Sequence, residues 1–514
     1  MAEKLYDVLI VGTGAAGGVL AKQLSEGGLS VLVLEAGNRF NPQADFRNDE
    51  LFMGKLHGWP WPIDSPWANV VTSCGLGGSM IHYAGWSVRF HPSDFQARSR
   101  DGVGDDWPIG WKDLEPYYEK AEKMIGVAGV NDNPFEPPKG PYPLPPHKFN
   151  RNAQVVGMGA KKLGLKLLTA PLAINSFPYD NRFPCNYCGF CMNGCMTGAK
   201  GESAVSYMPK ALKAGAELRL QAFVTRVNLD ASGKATGVIY NDQRTGREAR
   251  ARAKVIILAA NGIQIPRLLL NSISNSFPQG MANRSGLMGK YMMIHLNPGA
   301  WGIFERPVQF YKGTQVGAMI QDFYETDPKR DFARGYNLIA SSFGPVGTSI
   351  MTGLWGEELK EFMRYHEYIA GISTMGEDLP QEDNRVTLDS QKVDVFGVPL
   401  PRIAYRSSEN DIALRSHAHK KAREILEAAG AKKVYTDKEQ LMAIHFMGTT
   451  RMGKDPKTSV VDSFGRTHDV KNLFLAGSSI FVTASPAPPT LTIQALAART
   501  ADHILSEGKK GNLS

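Results

Sequence analysis

The chain of 514 residues lacks any apolar run long enough to cross a membrane. It also lacks blocks of like charge. Its 58 Lys+Arg and 50 Asp+Glu are spread along the sequence for a net charge of +8. With no basic stripe and no recognisable binding module, nucleic acid is not an expected partner, and the mild excess favours small anionic partners at most. Cysteine is scarce at five residues, four of them crowded into eleven positions, which is not the spacing of a secreted disulfide framework. No internal repeat is visible. The opening stretch MAEKLYDVLIVGTG has no basic n-region, twin arginine or cleavage site, so the chain by itself reads as cytoplasmic. A composition of 43% hydrophobic and 21% charged residues excludes a disordered or collagen-like chain. The length admits roughly two to four domains.

Glycine, by contrast, is abundant at 53 residues, about a tenth of the chain against a usual ~7%. Its first cluster is informative. Tyr6–Val11 is a short, mostly apolar strand running into Gly12-Thr13-Gly14-Ala15-Ala16-Gly17. Ala16–Leu24 then reads as a helix, Leu29–Leu34 as a second strand, and Glu35 follows 18 positions after Gly17. Strand, glycine turn, helix, strand and acid together form the dinucleotide-binding fingerprint in its required context. Gly12 permits the tight turn, Gly14 and Ala15 let backbone approach a pyrophosphate, and Gly17 lets helix pack on strand. The helix N-terminus offers free N–H groups to phosphate, and Glu35 an acceptor for ribose hydroxyls.

Further stretches carry a family resemblance. They are the loop Cys74–Tyr83 (CGLGGSMIHY), the strand Lys254–Ala260 followed by Asn261-Gly262 and a helix opening around Pro266, and His445–Gly453 (HFMGTTRMG). Asn472–Gly477 (NLFLAG) and Pro489–Ile493 (PTLTI) complete the set. In this order, and over nearly the whole chain, they resemble the glucose–methanol–choline (GMC) family of FAD-dependent oxidoreductases, nearest to its bacterial sugar and gluconate dehydrogenase-like branch. Asp106–Glu122 and Glu382–Asp389 look like further landmarks of it. The resemblance implies an α/β fold. A discontinuous Rossmann-like FAD-binding domain (1–90, 196–296 and 438–514) would join an α+β substrate-binding domain built on an antiparallel sheet (91–195 and 297–437). It implies hydride transfer from a CH–OH carbon to flavin N5, with His445 as the acid/base residue. Imidazole suits that proton because its pKa lies near working pH. It adds Gly78, His82, Gly477, Pro489 and Thr490 to the flavin-binding residues. His82 occupies a position where some members attach flavin covalently; a noncovalent flavin is the expectation here. One departure stands out: Pro488 replaces the second Asn or His that usually precedes the PTLT-like stretch, and its side chain has neither a donor nor an acid/base group.

Cys185, Cys188, Cys191 and Cys195 follow C-x2-C-x2-C-x3-C, a ferredoxin-like spacing, though Met196 stands where proline usually follows. A similar stretch occurs before a GAK-like tripeptide in members that carry an iron–sulfur cluster, and Gly198-Ala199-Lys200 follows here. Three readings stand open: an iron–sulfur cluster drawing electrons from reduced FAD, a structural zinc tetrad, and metal-free cysteines in a packed loop. A cluster would imply a small subunit or cytochrome as electron acceptor, and such a partner could carry an export signal.

Elsewhere, Asn131–Pro146 reads as an extended loop, and Trp301–Gly376 as strands lining a substrate cavity. Asp411–Ala429 reads as an amphipathic helix with Ile412, Leu414, Ile425 and Leu426 in the core. His295, His417 and His419 carry no motif and are set aside. The functional expectation is an FAD-dependent dehydrogenase for an alcohol, sugar or polyol that passes electrons to a protein or quinone acceptor. An oxygen-using oxidase of the same fold is one alternative. A flavin-binding protein with impaired catalysis, which Pro488 would favour, is another.

Overall fold

The computed structural model describes residues 4–58, 63–67, 69–437 and 442–512. Strand β1 (Leu5–Val11) enters a glycine turn and helix α1 (Ala15–Glu26), then β2 (Val31–Leu34). The same sheet takes β3 (Glu217–Arg219), β4 (Ala222–Leu229), β5 (Ala235–Asp242), the long β6 (Arg247–Leu258) and, far along the chain, a short strand Leu473–Leu475. The order is β3-β2-β1-β6-β5-β4, with Leu473–Leu475 also on β6. β1, β2, β3 and Leu473–Leu475 run parallel to their neighbours, whereas β4 and β5 form an antiparallel extension. β1 and β2 are almost wholly buried, as unbroken apolar runs covered on both faces must be.

Helix α4 (Asn261–Asn271) follows β6 and begins five residues before Pro266, not at it; helices α2 (Trp111–Ile125) and α3 (Arg151–Lys162) precede it in the chain. Two hydrogen bonds explain the early start. The Asn261 side chain accepts from the backbone of Ile263 and Gln264. The carbonyl of Gly262, which the missing N–H of Pro266 would leave without its helical partner, accepts from Thr449 Oγ1 at 2.7 Å.

The second sheet is antiparallel throughout. It contains β7 (His295–Leu296), β8 (Gly299–Ile303), β9 (Val316–Ile320), β10 (Tyr336–Ser341), β11 (Ile369–Glu377) and β12 (Lys433–Thr436), in the order β9-β10-β11-β8-β12 with β7 also on β11. His295–Leu296 therefore pairs with this sheet rather than with the fingerprint sheet. The 301–376 stretch is not all strand, because helices at Pro345–Thr352 and Gly356–Met363 interrupt it. Helix α5 (Glu409–Ala429) lies on this sheet and packs against α3. Gly159 of α3 allows the close crossing, since a Cβ there would sit 2.0 Å from the Ile425 carbonyl oxygen. Leu414, Ile425 and Leu426 are buried as expected, but Ile412 is 58% exposed. It lies two residues, or about 200°, from the stripe through Leu414, Ala418 and Ala422. With Leu473–Leu475 now numbered β13, the last helix, α6 (Thr490–Lys509), packs against both α1 and α2. Asn131–Pro146 carries no helix or strand. No helix among the described residues is long and apolar enough to cross a membrane.

Candidate active site

The parallel strands end at one side of the sheet, where a cavity of about 380 Å³ opens between the two sheets. Gly12, Gly14, Ala15, Glu35, Gly78, His82, Gly477, Pro489, Thr490 and His445 all line it. Gly17 does not. It sits behind the turn, where a Cβ would meet the Gly12 carbonyl oxygen at 2.0 Å, so its part is to seat α1 on β1. Gly78 (φ +57°) faces Gly14 so closely that a Cβ on it would lie 2.8 Å from the Gly14 Cα. The cavity wall there is bare backbone.

The donors and acceptors suit a dinucleotide. Neither α1 nor α6 has a side-chain cap, and the first residues of both helices line the cavity, so two sets of helix N–H groups are free for anionic atoms. Glu35 is buried and accepts from Thr13 N (3.1 Å), Thr13 Oγ1 (2.6 Å) and Gly37 N (3.0 Å). The first two share Oε2, which leaves Oε1 capacity for a ribose hydroxyl. Burial raises the carboxyl's pKa, and the hydrogen bonds from Thr13 and Gly37 oppose that rise. His82 Nδ1 lies 3.1 Å from the Met192 carbonyl, which can only accept, so Nδ1 carries the proton. Burial depresses the imidazole to about pH 4, leaving it neutral with a lone pair on Nε2.

His445 also lines the cavity, its backbone at φ +60°, a left-handed conformation that non-glycine residues adopt mostly under constraint. Its Nδ1 is 2.9 Å from Nδ1 of His295, with the rings edge-on. His295 is fully buried, and its Nε2 is 2.7 Å from the Ser485 carbonyl. Burial holds both imidazoles low, His295 at about 4 and His445 well below the ordinary histidine value, with the neighbouring ring adding to the effect on His445. The second sheet and the segments flanking it supply Asn297, Gln315, Ser341, Ser373 and Thr374 to the wall, among apolar Val316, Ile339 and Met375. His419 and Arg415 pair with Asp437, which lines the cavity, and His417 Nδ1 lies 2.7 Å from the Tyr336 hydroxyl.

Matches to the N- and C-terminal family models of GMC oxidoreductase cover residues 6–296 and 380–497. The chain belongs to the GMC oxidoreductase family. It is accordingly an FAD-dependent oxidoreductase, and the glycine cradle, Glu35 and the two uncapped helix ends fit that cofactor. Among related GMC proteins, a 2-methyl-1,2-propanediol dehydrogenase from Mycolicibacterium austroafricanum is 34% identical, over 97% of this chain and 95% of its own. The fructose dehydrogenase large subunit of Gluconobacter japonicus is 32% identical over 98% of both chains. The gluconate 2-dehydrogenase flavoprotein of Pantoea cypripedii is 27% identical over 96% of this chain and 92% of its own. In fold, the chain is similar to a pyridoxine 4-oxidase from Mesorbium loti, with a TM-score of 0.68 at 19% identity, covering 97% of this chain and 99% of that one.

All four clustered cysteines line a second, much smaller cavity of about 20 Å³, with Lys200 at its wall. That is space for roughly one water molecule. Among the described residues, no group of three or more His, Cys, Asp or Glu side chains is arranged to hold a metal ion. Burial pushes the Cys185 thiol up to about 11 and Cys191 to about 12. The donor chemistry is that of a thiolate cluster, but the space in this arrangement is not, so an iron–sulfur group finds no support in the geometry. The loop is nonetheless joined to the flavin side. Lys200 Nζ donates to the carbonyls of Ile81 (2.6 Å), Tyr83 (3.2 Å) and Cys191 (2.7 Å), and Met192 lines the large cavity.

Sequence reasoning missed His295, Asn297 and Ser485. His295 was set aside as a lone histidine, and its nearest local signal, the Asn-Pro that follows at 297–298, reads only as the end of a strand.

Proposed function

We propose that the protein oxidises the CH–OH group of a neutral alcohol, sugar or polyol and passes the electrons to a protein or quinone acceptor, with His445 as the base. The observation that carries this reading is that His445, its Nδ1 2.9 Å from His295 Nδ1, lines the same cavity as the dinucleotide cradle. With Nδ1 engaged by His295, the ring nitrogen left for a substrate hydroxyl is Nε2, and a neutral histidine accepts a proton without first losing one. Bound FAD would supply the two-electron acceptor, held by Gly12, Gly14, Ala15, Gly78 and Glu35, with the N-terminal end of α6 at Pro489 and Thr490 facing the flavin.

A neutral substrate follows from the charge of the wall. Among the described residues that line the cavity, the one Lys or Arg is Arg267, and it is tied to Asp394 at 2.7 Å and to the Pro399 carbonyl. An acid substrate would find no unengaged guanidinium there, whereas amide and hydroxyl groups suit polyol oxygens. The names of the diol and fructose dehydrogenases among the relatives support the same class. A partner subunit is supported by the "large subunit" of the fructose enzyme's name.

Anaerobic mixing with a polyol series tests the reading. His445→Ala should keep its FAD and slow flavin reduction by on the order of 10²–10⁴. An unchanged rate would place the base elsewhere. Rapid reoxidation of the reduced enzyme by air would favour the oxidase alternative. Iron and acid-labile sulfide in anaerobically prepared protein decide the cysteine loop, and both near zero would end the iron–sulfur reading.

A further inference from the structure

We propose that the Ser485 carbonyl, acting through His295, sets the tautomer of His445, which makes His295 a positioning residue for the base. The inference rests on the reading of His445 as that base. A carbonyl oxygen only accepts, so the 2.7 Å contact requires a proton on His295 Nε2. His295 is fully buried and neutral, so its Nδ1 carries the lone pair. At 2.9 Å from that lone pair, His445 Nδ1 must be the donor. A neutral His445 has one ring proton, and Nδ1 holds it. Nε2 is therefore unprotonated and ready to take a hydroxyl proton. In the step proposed, the substrate O–H bond breaks, its proton goes to His445 Nε2, and the imidazolium so formed keeps its Nδ1–H bond to His295.

The carbonyl that fixes this chain is itself held. Ser485 adopts φ +61°. Its hydroxyl lies 3.0 Å from Asp94 Oδ2 and 2.9 Å from the Tyr324 hydroxyl. Asp94 is paired with Arg334 at 2.6 Å, and Arg334 reaches Glu377 at 2.8 Å. Glu377 stands opposite His295 in the strand pairing, so the network returns to the strand that carries the histidine. Such a closed set of buried partners is what keeps an orienting group in one place. Pro488 makes the device necessary: with no donor or acceptor from its side chain, that position cannot help to fix His445.

Three variants of the FAD-loaded enzyme test this. His295→Leu removes the acceptor, and the limiting rate of flavin reduction should fall ten- to a hundredfold with the substrate dissociation constant changed less than about threefold. His295→Gln offers an amide oxygen to His445 and an amide N–H to Ser485, and should recover to within about fivefold of the parent. His295→Phe, which keeps ring volume, replaces the leucine variant if that one fails to retain flavin. Independently of turnover, nitrogen NMR of histidine-labelled protein without substrate should show His445 protonated at Nδ1 and bare at Nε2. A protonated Nε2 in the parent, or a leucine or phenylalanine variant reducing flavin at the parent rate, would overturn the proposal. If His445→Ala also reduces flavin normally, it is the base assignment that has failed. If only the His295 variants are normal, the positioning role has failed and the base stands.

Discussion

Pro488 removes a polar side chain two positions before α6, and Asn297 is an amide placed to make good the loss. It lies two residues beyond His295, lines the same cavity, and its Nδ2 is anchored on the His295 carbonyl at 2.6 Å, which leaves its oxygen for a substrate hydroxyl. Asn297→Ala should therefore lower kcat/KM by about 10- to 100-fold, the worth of one or two hydrogen bonds to a substrate oxygen, with FAD content unchanged. Steady-state kinetics on a polyol, read alongside flavin absorbance, check it. At this scale the sequence was only partly readable. His445 and Glu35 stand inside motifs that fix their surroundings. The histidine that orients His445 does not, because the contact between them spans 150 residues and is made by backbone geometry at Ser485. No local spacing encodes that.

Among the elements, the Pro266–Thr449 arrangement invites a direct test. Thr449→Val removes the hydroxyl that satisfies the Gly262 carbonyl beneath α4, leaving a buried acceptor without its partner at a cost of about 1–3 kcal/mol. Denaturant melts should show that loss, and FAD should be released more readily because Gly262 and Asn261 line the cavity. Gly17→Ala should be more damaging. A methyl group 2.0 Å from the Gly12 carbonyl oxygen forces α1 away from the turn that presents Gly14 to phosphate, and flavin retention should fall together with thermal stability. Helices and strands with strong periodicity were legible within a few residues. Proline reads locally as a helix start, whereas Pro266 lies inside α4, whose freed carbonyl is satisfied from outside. Ile412 was assigned to the core because alanine contributes little to an apolar stripe, yet Ala418 and Ala422 mark the face that closes on α3.

For the molecule as a whole, the depressed histidines set an acid limit. An unfolded chain binds a proton at His295 near the ordinary value of about 6.5, whereas the native protein holds that group near 4. A depressed histidine favours folding fully above the higher value, and that contribution is lost as pH falls towards the lower one. By pH 5, His295 alone should cost about 2 kcal/mol, and about 3 below pH 4. Urea midpoints at pH 7.5 and 5.0 measure the loss, and His295→Gln should flatten it. FAD should raise the whole curve by about 2.7 kcal/mol at a hundredfold excess over its dissociation constant, visible as a higher melting temperature for the holoprotein. The α/β class with its two kinds of sheet was readable because motifs at the start, middle and end of the chain carry the strands of one sheet. How the second sheet is ordered was not, since its edge pairing of Lys433 with Ile303 joins residues 130 apart.

A ribosome releases β1, α1 and β6 long before it reaches Leu473. About 215 residues separate the end of β6 from β13, which must lie along its edge, and α6 comes later still. At ~5–20 residues per second, that is on the order of 10–40 s of synthesis. For all that time Ile256–Leu258 at the end of β6 lack the strand that pairs along their edge, and α1 lacks the last helix that packs against it. The nascent protein thus passes through a long interval as an open-edged fragment, and exposed edges of this kind pair readily with the wrong strand. The cavity wall is completed only at the close, when Pro489, Thr490 and Ile493 arrive. Chaperone supply and FAD concentration late in synthesis, rather than the speed at which the N-terminal motif forms, should govern the yield of active enzyme in an expression host.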